Sequence, residues 1–276
     1  MSVISSIKTA FADSSKRKVL LVPIYGAIVE STNSSLSKSF NAFDLIQKLY
    51  DITNKQTYDG VILRINSPGG AASASEEIAK AILQLRKKHI PVVTSIGDLC
   101  ASGAYLIASA TEKIFANKMS LVGSIGAIMQ IPNFSGLSEK LGIKLITSSS
   151  GKMKDIGNPS REITDEEKQY LDELVKIAAG QFIDIVQENR YINNPEEIFD
   201  GRIVNTPEAL GHNLIDQIGT YNDAVQYMCK KLDVPQSRLS IRKYSAKSSI
   251  ASKLLNYCMP FQLTSIGFER GIIWVI

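Results

Sequence analysis

Gly60-Val61-Ile62-Leu63-Arg64-Ile65-Asn66-Ser67-Pro68-Gly69-Gly70 is the stretch that decides the fold. Residues 60–65 form a short apolar, β-branched run. It ends in Asn, Ser, Pro and paired Gly, which no strand continues through. On either side the periodicity changes to that of helices. Before it, Phe43, Ile46, Leu49 and Tyr50 recur at helical spacing within residues 42–53. After it, Ile78, Ile82 and Leu85 form one stripe of a helix over 73–88.

The pattern repeats outward. Residues 18–28 and 91–97 read as strands, and 102–110 as a short apolar helix. Strand, helix, strand, helix in this order requires parallel strands joined by crossovers, so the chain is expected to be α/β. Further strands are expected at 113–116, 125–130 and 143–147. A long helix should start at Thr164, with Glu167 as its capping-box partner, and run to about Arg190. Two more elements, at 206–217 and from about Tyr221 to Lys231, close the body, and the pattern weakens after Pro235.

Composition narrows the function classes. Of 276 residues, 44% are hydrophobic and 21% charged, which excludes a disordered chain, collagen and a disulfide scaffold. The net charge of +4 is too mild to indicate nucleic acid, and no such partner is expected. The basic residues gather at the ends. Lys8, Lys16, Arg17 and Lys18 face only Asp13 in the first 18 residues, and six basic residues face only Glu269 over 236–276. These ends are either solvated tails or contacts to an anionic membrane surface. Cys100, Cys229 and Cys258 match no metal motif, and their odd number argues against a disulfide framework and for a reducing compartment. No metal or cofactor is expected. No run of ~18 apolar residues is present, and residues 1–18 lack the form of a secretory signal. The expected location is therefore the cytoplasm, or the periphery of the cytoplasmic membrane. The apolar tail over 250–276, with its lone Trp274, suits either an interfacial anchor or packing over a neighbouring protomer.

Chemistry concentrates at two strand ends. The Gly69-Gly70 loop is either a tight strand-to-helix turn or an oxyanion hole, in which exposed amides stabilise a developing negative oxygen. The next strand leads to Cys100-Ala101-Ser102-Gly103-Ala104, where Ser102 is either a helix N-cap or a nucleophile with small neighbours that admit a substrate. A serine nucleophile needs a base. His89 lies at the far end of the strand that leads to Ser102, and His212 lies in a turn; both are expected to be solvated. A lysine kept neutral by desolvation is the alternative, and 148–160 offers Lys152 and Lys154.

An ordered set of motifs covers residues 18–233. It comprises I-N-S-P-G-G at 65–70, A-S-G-A-Y at 101–105, G-S-I-G at 123–126 and G-K-M-K-D-I-G-N-P-S-R-E-I-T at 151–164. D-G-R-I-V at 200–204 and A-L-G-H-N-L-I-D-Q-I-G at 209–219 complete it. The set resembles the signal peptide peptidase A family of serine proteases. The resemblance implies a Clp/crotonase-type fold of repeated β-β-α units and a Ser-Lys dyad. Ser102 would be the nucleophile, Lys154 the base, Ser124 the residue orienting the lysine, and Gly70 and Gly103 the oxyanion donors. It further implies peptide substrates, such as cleaved signal peptides or hydrophobic fragments, and a homo-oligomer with sites completed between protomers. The organisation expected is a basic arm over 1–17, a peptidase domain over 18–235 and an extension over 236–276. Bacterial members commonly carry an N-terminal membrane anchor, which residues 1–18 do not resemble, and Ala104 stands where a second Gly is common. A capsid-maturation protease of phage type shares the motifs. An acyl-CoA hydratase or isomerase shares the fold but uses carboxylates. A non-catalytic membrane scaffold has no need of Ser102, Lys154 and Ser124 together.

Overall fold

The computed structural model describes residues 16–30, 40–245 and the backbone of 273–275. One mostly parallel sheet organises it, in the α/β arrangement that the alternation of strand and helix implies. Its central strands are β1 (Arg17–Tyr25), β4 (Gly60–Ser67), β5 (Val92–Ala101) and β6 (Lys113–Ala116), side by side and parallel. Between β1 and β4 lie the short β2 (Ile28–Val29) and β3 (Phe40–Asn41), then α1 (Ala42–Lys55). Helix α2 (Ala72–Lys87) joins β4 to β5, and α3 (Gly103–Ser109) joins β5 to β6.

The strand side chains alternate between two apolar layers, as a pleated strand buried on both faces requires. Val61, Leu63 and Ile65 of β4 pack with Leu45, Leu49, Ile78 and Ile82 of α1 and α2. Ile62, with Val19, Val93 and Phe115, faces Ala224, Val225 and Met228 of a helix on the other side, Tyr221–Lys231. Each such buried aliphatic side chain contributes about 1.5–3 kcal/mol.

The remaining elements, in chain order, are β7 (Leu121–Gly123), β8 (Ile128–Gln130), α4 (Ser135–Lys140), α5 (Asp165–Asn189), α6 (Pro195–Ile198), β9 (Ile203–Asn205), α7 (Thr206–Gly211), β10 (Gln217–Ile218), α8 (the helix Tyr221–Lys231), β11 (Leu239–Lys243) and β12 (Ile273–Val275). The long helix α5 has the full Thr164–Glu167 capping box. Strand β11 lies parallel to β1, so the sheet continues past Pro235. Strand β12 pairs antiparallel with β8. The side chain of Trp274 and the rest of the 250–276 tail lie outside the described residues, as does the arm before Lys16. Among the described residues, no helix is long and apolar enough to cross a membrane.

Three expected strands differ, and the element expected over 206–217 divides into α7 and β10. The strand expected over 18–28 breaks at Gly26, whose φ of 75° turns the chain before β2. The one expected over 125–130 is shorter, Ile128–Gln130 only; β7 lies before it, and the Gly123-Ser124 pair, with φ of 116° and 54°, leaves extended geometry between the two. Residues 143–147 form no strand. Among the described residues no strand pairs with them, and Ile143, Leu145 and Ile146 are exposed.

The carboxyl end of β5 positions the site. Its first half pairs with β6 and its last three residues with β7. Its register against β4 slips between Ile65 and Ser67, so that Ser67 faces Cys100. Asn66 stitches the slip: its Oδ1 accepts from Leu99 N at 3.1 Å, and its Nδ2 donates to Asp98 Oδ2 at 2.9 Å. The loops after β4 and β5 are thereby brought together.

Candidate active site

Ser102 sits between β5 and α3 with φ 55° and ψ −130°, a conformation L residues rarely adopt. Its backbone is held on both sides. Its N–H donates to Gly123 O at 2.8 Å, and its carbonyl accepts from Tyr105 N and Leu106 N at 2.8 and 3.0 Å. Helix α3 is wholly buried, and the Tyr105 hydroxyl ties it to Leu214 O at 2.9 Å. The Ser102 side chain makes no capping bond, although it occupies the N-cap position. Ser102 thus holds the N-cap position without its hydroxyl serving as the cap. The residue is 5% exposed.

The Gly69-Gly70 loop wraps against it. A Cβ on Gly69, whose φ is 98°, would lie 2.7 Å from Ser102 Cβ and 2.8 Å from Gly103 N. Gly70 has φ 151°, and a Cβ there would meet the Ile28 carbonyl oxygen at 2.1 Å. Only glycine fits either place. The loop is fixed by Ile28 N donating to Gly69 O and Ala71 N to Ile28 O, both at 2.8 Å. Ser67 Oγ donates to Gly26 O at 2.7 Å and accepts from Gly69 N at 3.1 Å. The Gly70 amide lies beside Gly103, 3.5 Å from where a Gly103 Cβ would stand, and donates to no acceptor among the described residues. As the first amide of α3, that of Gly103 has no partner within the helix. Two amides thus adjoin one serine, a geometry able to stabilise a tetrahedral oxyanion.

Ser124 joins the group through the ladder that pairs Ala101 with Gly123. It too has a left-handed φ, 54°, and its N–H donates to Arg202 O at 2.7 Å. Gly123 is required there, because a Cβ would lie 2.9 Å from that same oxygen.

Lys154 lies on a different segment. From 141 to 164 the chain forms no helix or strand, and Lys154 is exposed, its N–H turning back to Gly151 O at 3.0 Å. No hydrogen bond joins it to Ser102 or Ser124 among the described residues. Lys152 is engaged elsewhere, in an exposed ion pair with Glu166. Of the two loop lysines, Lys154 is thus the one whose ammonium is not paired to a carboxylate among the described residues.

Neither histidine, nor Cys100, offers a substitute. His89 is exposed at the start of β5, the length of the strand from Ser102. His212 is not the solvated side chain its turn suggests: only 12% of it is exposed, and Nδ1 lies 2.8 Å from Asn193 O. Cys100 is two residues from Ser102, but burial pushes its thiol up, away from the reactive thiolate. Ser75 escapes a reading of the sequence. It is fully buried, and its Oγ donates to Ala71 O at 2.9 Å and fills the space a Gly103 side chain would need. Only its place on the buried stripe of α2, one turn after the glycines, signals it.

The sequence model of Peptidase family S49 matches residues 84–235. A protein of Enterococcus faecium, provisionally named signal peptide peptidase SppA, is 35% identical over 221 residues, 79% of this chain and 64% of its own. A protein of Methanocaldococcus jannaschii, provisionally named a protease, is 41% identical over 229 residues, 82% of this chain and 71% of its own. The chloroplastic serine protease SPPA of Arabidopsis thaliana is 30% identical over 213 residues, 76% of this chain and 31% of its own. The chain spans less than two thirds of the Enterococcus and Arabidopsis proteins.

Proposed function

The chain belongs to peptidase family S49, and from that premise we propose that it is a serine endopeptidase with Ser102 as nucleophile and Lys154 as base. The observation that carries this reading is the Ser102 hydroxyl. It is committed to no cap, its backbone is locked, and it lies against the paired glycine loop.

In the proposed cycle, the neutral Lys154 amine takes the Ser102 proton as Oγ attacks a peptide carbonyl. The carbonyl oxygen becomes an oxyanion and accepts from the Gly70 and Gly103 amides. Ser124 orients the lysine. As the tetrahedral intermediate collapses, the lysine ammonium protonates the departing amine, and water then releases the acyl group by the reverse sequence. Lys154 is exposed in the single chain, so its side chain is open to water. The proposal therefore includes a covering partner, either the bound peptide or a neighbouring protomer, that strips water from it. The substrates proposed are extended peptides with small or apolar side chains, cleaved signal peptides among them. The name of the Enterococcus relative and the small residues around Ser102 support this. The buried, unpaired Cys100 and Cys229 suit work in a reducing compartment or at a membrane periphery.

Side-by-side kinetics of Lys154→Arg and Lys152→Ala test the dyad. Guanidinium does not deprotonate, so Lys154→Arg should lose peptide hydrolysis by several orders of magnitude, whereas Lys152→Ala should stay near the parent rate. The reverse ranking would move the role to Lys152.

A further inference from the structure

A catalytic lysine on a segment without regular structure needs something to hold it. Residues 141–152 are exposed throughout, and backbone freedom there works against a fixed base. The residue after Lys154 supplies the attachment. Asp155 Oδ2 accepts from Arg161 Nε at 2.8 Å, and the Asp155 carbonyl accepts from Arg161 Nη2 at 2.9 Å. The other side of the same guanidinium grips Glu167, Nη1 to Oε2 at 2.9 Å and Nη2 to Oε1 at 2.5 Å. Its remaining hydrogen goes from Nη1 to Glu162 O at 3.0 Å. All five N–H donors of Arg161 are used, by acceptors around the edges of the planar guanidinium.

Glu167 is rigid. It is 4% exposed, it closes the α5 capping box by accepting from Thr164 N at 2.9 Å, and α5 is anchored in the core through Phe182 and Val186. A continuous chain of contacts therefore runs from a core helix through Glu167 and Arg161 to the backbone beside Lys154. We propose that Arg161 is a positioning residue that fixes the Lys154 backbone to the first turn of α5 and so aims the base at the nucleophile. Lysine at 161 cannot do this, because a point ammonium has three donors and no planar fork. The inference rests on the dyad reading of Ser102 and Lys154.

Steady-state kinetics of the full chain on an internally quenched peptide of small apolar residues test it. Arg161→Gln and Arg161→Lys should each lower kcat about 10²-fold with KM little changed, since a base displaced by about 1 Å loses that much. In a Lys154→Ala background, where a residual rate remains from oxyanion stabilisation and binding, Arg161→Gln should cost nothing further. Should Arg161→Gln fail to fold, Asp155→Asn and Glu167→Gln, which each weaken one side of the clamp, should show the same kcat loss and the same dependence on Lys154. A folded Arg161→Gln protein with the parent kcat would overturn the inference. So would an equal loss with and without Lys154, which would place the effect of Arg161 elsewhere. Full activity of Lys154→Ala alone would instead sink the dyad, and the positioning role with it. That failure is read from a separate protein.

Discussion

Gly103→Ala is a local test of how the glycine loop and α3 fit together. The added Cβ would stand 2.4 Å from Ser75 Oγ and 3.2 Å from Ser75 Cβ. Ser75 cannot swing away without cost, since it is fully buried and its Oγ is bonded to Ala71 O. Overpacking of this kind costs about 1–3 kcal/mol. Ser75→Ala alone removes one buried hydrogen bond, worth about 1 kcal/mol. In the double variant the closest contact is gone and only the 3.2 Å approach of the two Cβ atoms remains. The pair should therefore be more stable than the sum of the singles predicts, with a coupling of about 1–2 kcal/mol. Urea unfolding followed by far-UV circular dichroism measures all three. In parallel, kcat on a quenched peptide should fall about 10²-fold in Gly103→Ala, because its amide is displaced from the oxyanion position, and should recover in part in the double variant. Strictly additive stabilities would show that Ser75 does not wall off Gly103. An unchanged kcat in Gly103→Ala would remove that amide from the chemistry.

Acid should loosen the α5 start. The Arg161 guanidinium, followed by the Thr164 amide, holds the Glu167 carboxyl down at about 2, and Arg161 also lowers Asp155. A carboxylate lowered on folding contributes stability that is present above its unfolded value of about 4.3 and lost as pH falls towards about 2. Urea midpoints measured across that window should drop, and drop less in Glu167→Gln; equal slopes would refute the linkage. Assembly is a further expectation. Met119 is 88% exposed and Ile146 94%, with Ile128, Leu137, Leu141, Ile143, Leu145 and Ile203 also exposed. That much apolar surface calls for a cover, and light scattering at micromolar concentration should find a homo-oligomer, which a fully active monomer would refute.

The strand-and-helix alternation around residues 60–70 was legible because each element there carries its own period, and the α5 start because Thr164 and Glu167 are only three residues apart. Elements defined by distant partners were not. Leu121–Gly123 is a strand only because Ala101 and Ile203 flank it, and Leu239–Lys243 only because β1 leaves an edge. Residues 143–147 have strand-like composition and no such partner among the described residues. The glycine loop and Ser102 could be located from residue types, but that the Ser102 hydroxyl makes no capping bond is legible only from the hydrogen bonds. The clamp on Asp155 was invisible for the same reason. Arg161 reads as one more basic residue until the acceptors on both edges of its guanidinium are in place.

The central claim is that Ser102 is the nucleophile, and covalent labelling tests it most directly. The full chain, incubated with a fluorophosphonate and digested, should yield one phosphonylated peptide by mass spectrometry, with the adduct on Ser102. Ser102→Ala, folded by circular dichroism, should take no label and hydrolyse no peptide. An adduct on Ser124 or another serine, or Ser102→Ala protein that still cleaves peptide at the parent rate, would contradict the account.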